Sequence, residues 1–249
     1  PAGDRDLRAI CGQLMAEIER NGWRGRWTQH VADEPQPALA ADYRIVAGIT
    51  RKYMPGIPLL DAIEDPSLVG SVDVWCPKDN AYQRHKPAYD ALQASGDRMW
   101  FYTCCEPGGK WLNRLLDMEL IRPALFGWAA ARFGLDGFLH WGLNHWQKDQ
   151  DPFEKSVVPN WGGGSLPAGD THIVYPGTDG PWSSVRLEAQ REGFEDLELL
   201  RALQKRQPAK ARAIIRPVLR AFDDYTTILR VFRSARRKLL ELTPVSTSN

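Results

Sequence analysis

Helical and extended hydrophobic patterns alternate along residues 4–141, and this alternation constrains the fold more than any other feature. Apolar residues at spacings of three and four predict helices, and short apolar runs bounded by turn residues predict strands. The predicted helices cover 4–20, 38–52, 81–94 and 115–133, and the predicted strands cover 27–32, 57–63, 72–75, 99–104 and 137–141. Pro87 either kinks the third helix or marks its true start. The βαβα order predicts an α/β fold with a parallel sheet and covering helices.

The alternation stops at residue 142. Residues 142–182 form a long loop rich in Gly, Pro, Asp, Asn and Trp, in which Ile173–Tyr175 is the only segment that looks like a strand. Loops of this length inside compact domains are usually functional. Two helices are expected to follow, over 184–204 and 211–242. We therefore predict a catalytic region over 1–182 and a C-terminal helical segment, 183–249, that packs on it.

The composition excludes several classes of protein. The 249 residues have a net charge of +1, and no apolar run reaches the roughly 18 residues that a membrane span needs. Basic residues concentrate between Arg201 and Lys238, but they interleave with a helical apolar stripe, which favours a solvated helix face over a nucleic-acid site. The four cysteines have no zinc-ligand spacing, and nucleotide and serine-hydrolase motifs are absent. We expect no metal and no cofactor.

The cysteine pair Cys104-Cys105 leaves two interpretations open. Adjacent cysteines could close a vicinal disulfide, but two small buried thiols are the favoured interpretation. The redox compartment therefore stays undetermined.

The sharpest chemical feature is the pair Asp33-Glu34, which follows the first predicted strand and precedes Pro35. Adjacent carboxylates repel each other, so one tends to hold a proton, as a general acid must. Neighbouring strand residues point to opposite faces, so both can reach one ligand only if the backbone leaves the strand conformation there. Pro35 makes such an ending plausible. The alternative is a solvated Asp-Glu at the start of a loop.

Aromatic residues suggest the ligand. The chain has 10 Trp, several of them at predicted strand ends or in the long loop. Flat indole rings stack on the apolar faces of sugars while nearby polar groups bind the hydroxyls, which favours a carbohydrate ligand. Trp141 and Trp146 are the strongest candidates, although core packing is the commoner role of any single Trp. His140 and His145 are interpreted as structural.

An ordered set of motifs carries a family resemblance. The set comprises segments 33–35, 75–77, 100–107, 137–141 with Trp146, 175–177 and 183–196. In this order they resemble the domain of unknown function 4091, which is similar to the catalytic region of glycoside hydrolase family 123, the β-N-acetylgalactosaminidases. The resemblance extends from about residue 27 to residue 203.

The resemblance implies a TIM-type (β/α)8 barrel and a substrate-assisted retaining mechanism. Asp33 would orient the 2-acetamido group of the sugar, and Glu34 would act as general acid and base. The implied substrate-binding residues are Trp75, Tyr102, Trp141, Asn144, Trp146 and Tyr175. The implied activity is removal of a terminal β-linked N-acetylhexosamine, with N-acetylgalactosamine favoured, in a secreted or periplasmic protein.

In the family this carboxylate pair ends the fourth barrel strand, whereas here it ends the first predicted strand. We therefore expect the C-terminal part of a barrel, about five βα units, whose N-terminal half-barrel lies outside this chain. The alternative function is a non-catalytic carbohydrate-binding protein built on an incomplete glycosidase-like barrel. An interaction protein that binds nucleic acid through its basic tail is the third hypothesis.

Overall fold

A computed structural model describes residues 2–243. The chain divides into two compact units, one ending at Tyr102 and one beginning at Thr103. This division differs from the sequence-based one, which puts a boundary after Trp182. No helix among residues 2–243 has the length and apolarity needed to cross a membrane.

The first unit consists of parallel strands with helices between them, as the alternating pattern predicts. Its elements are α1 (Ala2–Arg20), α2 (Ala40–Tyr53), β1 (Leu60–Asp61), β2 (Val74–Trp75), α3 (Asp79–Arg84), α4 (Lys86–Ala94) and β3 (Arg98–Tyr102). β1 pairs with β2 and β2 pairs with β3, all in parallel. Pro87 marks a helix start, because it lies in the first turn of α4, where its missing N–H is not needed.

The first predicted strand is much shorter than expected. Only Gln29 forms a bridge, parallel to Leu59, with its N–H donating to Pro58 O at 2.9 Å. Two residues later the backbone N–H of Val31 donates to the carboxylate of Asp61 instead of to a strand carbonyl. A side chain thus takes the place of the neighbouring backbone, and the ladder ends before Asp33.

The second unit is mainly helical. Its elements are α5 (Ile121–Phe133), β4 (Gly137–Leu139), β5 (Val174–Pro176), β6 (Pro181–Ser183), α6 (Val185–Arg206), α7 (Pro208–Ile215), β7 (Leu219–Ala221), β8 (Asp224–Tyr225) and α8 (Leu229–Leu242). Helices α5 and α6 pack closely because both carry a glycine at the contact. A Cβ on Gly127 would lie 1.8 Å from Gly193 O, and one on Gly193 would lie 2.2 Å from Ala124 O.

The prediction of one helix over 211–242 is wrong. Helix α7 ends at Ile215, the β7–β8 hairpin follows, and α8 begins only at Leu229, so three helices rather than two lie between residues 183 and 243. Pro217 explains the break, because proline has no N–H to donate and its ring clashes with the preceding helical turn. The apolar stripe still marks much of the core of this region, since its members Ile214, Val218, Phe222, Phe232 and Leu239 are buried.

The long loop matches its prediction in part. β5 lies where Ile173–Tyr175 is predicted, and it pairs antiparallel with β6, which the sequence pattern did not indicate. Isolated bridges join Asn144 to His172 and Pro159 to Ser165.

Candidate functional site

The backbone at the carboxylate pair leaves the strand conformation, as the sequence analysis requires. Glu34 has a φ of 40°, in the left-handed region that residues with a Cβ seldom occupy. Such a conformation costs about 1 to 3 kcal/mol and persists only where its surroundings hold it. Asp33 is exposed and Glu34 is half-buried. The strict alternation of strand side chains therefore does not apply to this pair.

A buried carboxylate, Asp61, holds the chain just before the pair. Asp61 ends β1 and is fully buried. Its two oxygens accept from the N–H of Val31 at 3.1 and 3.2 Å, and Oδ2 also accepts from the hydroxyl of Tyr43. His30 contacts Asp61 through Nδ1, which lies 3.1 Å from Leu60 O. These contacts fix residues 30 and 31, two positions before Asp33.

The same contacts shift two pKa values. The hydrogen bond to Asp61 raises the pKa of His30, helped by the charges of Asp61 and Asp33 and opposed by burial. Burial, with the hydrogen bond to Asp61, raises the pKa of Tyr43, so the phenol keeps its proton and donates it. The strand-end position marks Asp61 in the sequence, but no local pattern indicates its partners.

A buried lysine, Lys78, contacts the predicted general acid. Its ammonium lies 3.4 Å from Oε1 of Glu34 and 3.1 Å from Oε1 of Glu64, and its side chain is only 8% exposed. Lys78 follows Trp75-Cys76-Pro77 at the end of β2. The sequence analysis missed it, although its position directly after a predicted strand end is a usable signal.

Two residues predicted to bind substrate lie inside the protein. Trp75 is fully buried, and its indole N–H donates to Asp97 Oδ2 at 2.9 Å. Tyr102 ends β3 and is 6% exposed. Neither offers a ring face to solvent. Cys76, which follows Trp75 in the sequence, is fully buried, and burial raises the pKa of its thiol.

In the second unit, Trp141 is half-exposed, and a hydrogen bond to a buried carboxylate holds its indole ring. Its indole N–H donates to Asp170 Oδ2 at 3.1 Å, and Asp170 is fully buried. The ring of Trp141 lies 5.4 Å from that of His145. An anchored indole with 44% of its surface exposed suits stacking on a flat apolar ligand face.

His140 also faces Asp170, with 3.3 Å between its Nε2 and Asp170 Oδ1. Its Nδ1 accepts from the N–H of Gly142 at 3.1 Å. Burial is the main cause that lowers the pKa of His140 to about 4, so the ring is neutral at physiological pH. This agrees with the structural role predicted for it.

Buried arginines tie the long loop to the helices of the second unit. Arg186 donates to three carbonyls, Arg114 O at 2.8 Å, Gly169 O at 2.7 Å and His172 O at 2.7 Å. Arg114 donates to Gly142 O. These bonds satisfy carbonyls that a buried loop leaves without strand partners. The sequence analysis assigned no role to either arginine.

The remaining predicted residues gather around His172. The rings of Trp146 and Tyr175 lie 6.2 and 5.0 Å from that of His172, both edge to face. Tyr175 also lies 5.0 Å from Phe153. Asn144 is exposed, and its backbone bridges to His172. Within the second unit the fold thus brings Asn144, Trp146 and Tyr175 together.

The four cysteines are not joined in disulfide bonds in the structure. Cys104 and Cys105 have their sulfur atoms 3.8 Å apart and form no disulfide. Among residues 2–243, no cluster of three or more His, Cys, Asp or Glu side chains is arranged to hold a metal ion.

Comparison with known proteins decides the family. The family described as "Glycoside hydrolase 123, catalytic domain" matches residues 4–203. The chain belongs to this glycoside hydrolase family. The family 123 match covers the carboxylate pair, the long loop and most of α6. No curated protein matches the chain.

A solved structure supports the fold. A family 123 glycoside hydrolase from Clostridium perfringens, described in connection with glycolipid glycan hydrolysis, superposes with a TM-score of 0.63 at 17% identity. The match covers 94% of this chain and 42% of that enzyme. This family 123 chain thus spans less than half the length of the enzyme that it resembles.

Proposed function

We propose that this chain is a glycoside hydrolase catalytic region that removes a terminal β-linked N-acetylhexosamine, with N-acetylgalactosamine favoured. The observation that carries the proposal is the pair Asp33-Glu34 after the first strand position, where Glu34 has a left-handed φ. The buried Asp61 binds the N–H of Val31 just before the pair, and the buried Lys78 contacts Glu34. Family membership supports the hydrolase class, and the pair supplies two carboxylates with different surroundings.

The proposed mechanism is substrate-assisted and retaining. Glu34 donates its proton to the glycosidic oxygen, the bond from C1 to this oxygen breaks, and the acetamido oxygen of the substrate attacks C1. Asp33 accepts a hydrogen bond from the acetamido N–H and stabilises the resulting oxazolinium ion. The Glu34 carboxylate then takes a proton from water, whose oxygen attacks C1 and reopens the ring with the original configuration. Such mechanisms are exceptions to the enzyme-nucleophile scheme.

Sugar contacts are proposed for Trp141, Asn144, Trp146 and Tyr175. The anchored, half-exposed ring of Trp141 supports a stacking role. Trp75 and Tyr102 stay in the proposal as buried supports near strand ends, since they offer no ring face. A (β/α)8 barrel, of which this chain would supply about five βα units, also belongs to the proposal and is supported by the parallel strands of the first unit.

The test is hydrolysis of aryl β-N-acetylgalactosaminide and aryl β-N-acetylglucosaminide by the full chain. Glu34→Gln and Asp33→Asn are expected to lower kcat/KM by about 100-fold or more, since general acid–base groups contribute roughly that much. Asp42→Asn, which removes an exposed carboxylate of α2, is the matched control. The first-formed sugar should be the β anomer by NMR. Equal rates for the wild type and Glu34→Gln would refute the proposal.

A second candidate is a non-catalytic carbohydrate-binding protein. The specific observation in its favour is the indole of Trp141, anchored by Asp170, because a stacking platform needs no acid. Calorimetric binding of N-acetylgalactosamine without turnover, lost in Trp141→Ala, would favour this candidate over the hydrolase.

A further inference from the structure

We propose that Lys78 and Glu64 form a buried ion pair that positions the carboxyl group of Glu34 and sets how tightly Glu34 holds its proton. The inference rests on the proposed function for its catalytic meaning. Lys78 is thereby a positioning residue, since it acts through Glu34.

The three side chains converge from successive segments that end at one edge of the first unit. Glu34 follows the bridge at Gln29, Glu64 follows β1, and Lys78 follows β2. The backbone of Lys78 is fixed, because its carbonyl accepts from the N–H of Tyr82 at 2.8 Å and it forms a parallel bridge with Tyr102. The backbone from which the Lys78 side chain extends is therefore held in place by the fold.

Burial explains why the ammonium needs both carboxylates. A charge that is withdrawn from water must be paired, or its desolvation costs several kcal/mol. The side chain of Lys78 is 8% exposed, whereas those of Glu34 and Glu64 are 39% and 43% exposed. One positive charge thus faces two carboxyl groups that keep contact with solvent.

The cluster is neutral only when one of its two carboxyl groups is protonated. With Glu34 protonated, Lys78 and Glu64 neutralise each other at 3.1 Å. When Glu34 gives its proton to the leaving oxygen, a second negative charge appears 3.4 Å from the same ammonium. Lys78 stabilises this charge, while Glu64 competes for Lys78 and so prevents a permanent ion pair with Glu34.

Other titratable groups of the first unit surround the cluster. Asp33 precedes Glu34, Asp65 follows Glu64, and the buried Asp79 follows Lys78. Asp65 is directed away, since it accepts from the N–H and hydroxyl of Ser67 at 2.9 and 2.8 Å. Burial, together with the charges of Glu64 and Asp65, raises the pKa of Tyr89, whose hydroxyl donates to Ile63 O at 3.1 Å. The ammonium of Lys78 contacts both glutamates.

The arrangement predicts opposite effects for its two members. Removing the ammonium with Lys78→Met favours protonated Glu34, because an opposite charge has been lost. Removing the competitor with Glu64→Gln favours ionised Glu34, because a nearby negative charge has been lost. An opposite charge within 4 to 6 Å typically shifts titration by about 1 to 3 pH units, and the solvent contact of Glu34 puts the expectation near the lower end. A role in folding alone would not produce shifts of opposite sign.

The first experiment is the pH dependence of kcat/KM on an aryl β-N-acetylgalactosaminide with the full chain. The alkaline limb of this profile reports loss of the proton from the general acid of the free enzyme. Lys78→Met should move the limb up by about 1 pH unit, and Glu64→Gln should move it down by about 1 unit. Asp65→Asn, which removes the neighbouring carboxylate that faces Ser67, should move it by less than about 0.3 units.

The second experiment does not depend on turnover. Carboxyl carbons labelled with carbon-13 in all glutamates are titrated by NMR, and the signal missing in Glu34→Gln identifies Glu34. Its titration midpoint should move up in Lys78→Met and down in Glu64→Gln, each by about 1 pH unit. Should Lys78→Met fail to fold, Glu64→Gln still tests the inference. Glu64 is 43% exposed, so its replacement leaves no cavity in the core and should not prevent folding.

The outcomes separate the two proposals. A wild type without hydrolase activity would reject the proposed function, while the NMR midpoints would still decide the role of Lys78 and Glu64. Midpoints that move in opposite directions support the inference. Midpoints that stay in place, or that move the same way in both variants, overturn it even if the chain proves to be an active hydrolase.

Discussion

Replacing Asp61 by Asn tests how the catalytic segment is held. Asp61 accepts from the N–H of Val31 and the hydroxyl of Tyr43 and contacts His30, and the side chain of Asp61 itself is fully buried. An Asn side chain keeps the shape but has one acceptor oxygen and an NH2 group that can only donate. In either orientation of the amide, its NH2 group faces the N–H of Val31, and in one of them the hydroxyl of Tyr43 also loses its acceptor.

The magnitude follows from these bonds. Hydrogen bonds to a charged group contribute about 1.5 to 3 kcal/mol each, and a buried donor without a partner costs about 1 to 3 kcal/mol. The contact with His30 adds little, because half of that ring is exposed and solvent screens it. We expect Asp61→Asn to lower the free energy of unfolding by about 3 kcal/mol.

The pKa of His30 adds a pH dependence. Because the folded state raises this pKa, the pair His30–Asp61 stabilises the protein fully below the unfolded pKa of about 6.5 and less as the pH rises through the folded pKa. Asp61→Asn lacks this contribution. The stability difference between the wild type and Asp61→Asn should therefore be larger at pH 6 than at pH 9.

The assay is urea unfolding at pH 6 and pH 9, with hydrogen exchange of the Val31 amide as the local readout. The amide of Val31 should exchange faster in Asp61→Asn, while amides of α5 in the second unit serve as the internal control. The reasoning is refuted if Asp61→Asn is within 0.5 kcal/mol of the wild type at both pH values, or if the Val31 amide keeps its protection.

Two further predictions concern the second unit. Gly127→Ala should destabilise the protein by about 3 kcal/mol, because the added Cβ would lie 1.8 Å from Gly193 O. Gly48→Ala in α2 should stabilise the protein by about 1 kcal/mol, because the added Cβ would meet open space. Similar unfolding midpoints for the two variants would contradict this reasoning. Burial lowers the pKa of His140 to about 4, so as the pH falls the unfolded chain binds a proton at this residue before the folded chain does. The free energy of unfolding of the wild type should therefore fall by about 3 kcal/mol between pH 7 and pH 4. Urea unfolding of His140→Gln over the same range should show a smaller loss, and an equal loss would exclude His140 as the cause.

Local patterns predicted the class of the fold well. Apolar residues spaced three and four apart alternate with short apolar runs, and this pattern predicted an α/β chain with parallel strands. The first unit has such strands. Hydrophobic spacing also identified much of the C-terminal core, since Ile214, Val218 and Phe232 are buried. The same spacing failed to show that Pro217 and the β7–β8 hairpin interrupt the helix, because a helix and a helix–hairpin–helix can bury the same stripe.

The candidate site was only partly visible. Asp33-Glu34 and the aromatic residues stand out because their types are unusual at strand ends. The residues that hold them do not stand out in the sequence, because their contacts join distant positions. The Val31–Asp61 bond joins residues 30 positions apart, and the bond from Arg186 to Arg114 O spans 72 positions. The strand-end position of Lys78 is visible in the sequence, but its burial and its contacts with two glutamates are not.

The sequence by itself determined the α/β class, the strand ends that carry polar side chains and the pair of adjacent carboxylates, because each depends on residue type and short-range spacing. Only the tertiary structure decided that Glu34 has a left-handed backbone conformation and that Trp75 is buried rather than exposed. It also decided that Asp61 and Lys78 contact the segment of the carboxylate pair in the first unit, and that Asp170 accepts from Trp141 in the second. The physical reason is burial. A carboxylate or an ammonium acquires its strong partners and its altered proton affinity when distant segments exclude water from it, and no local pattern records which segments those are.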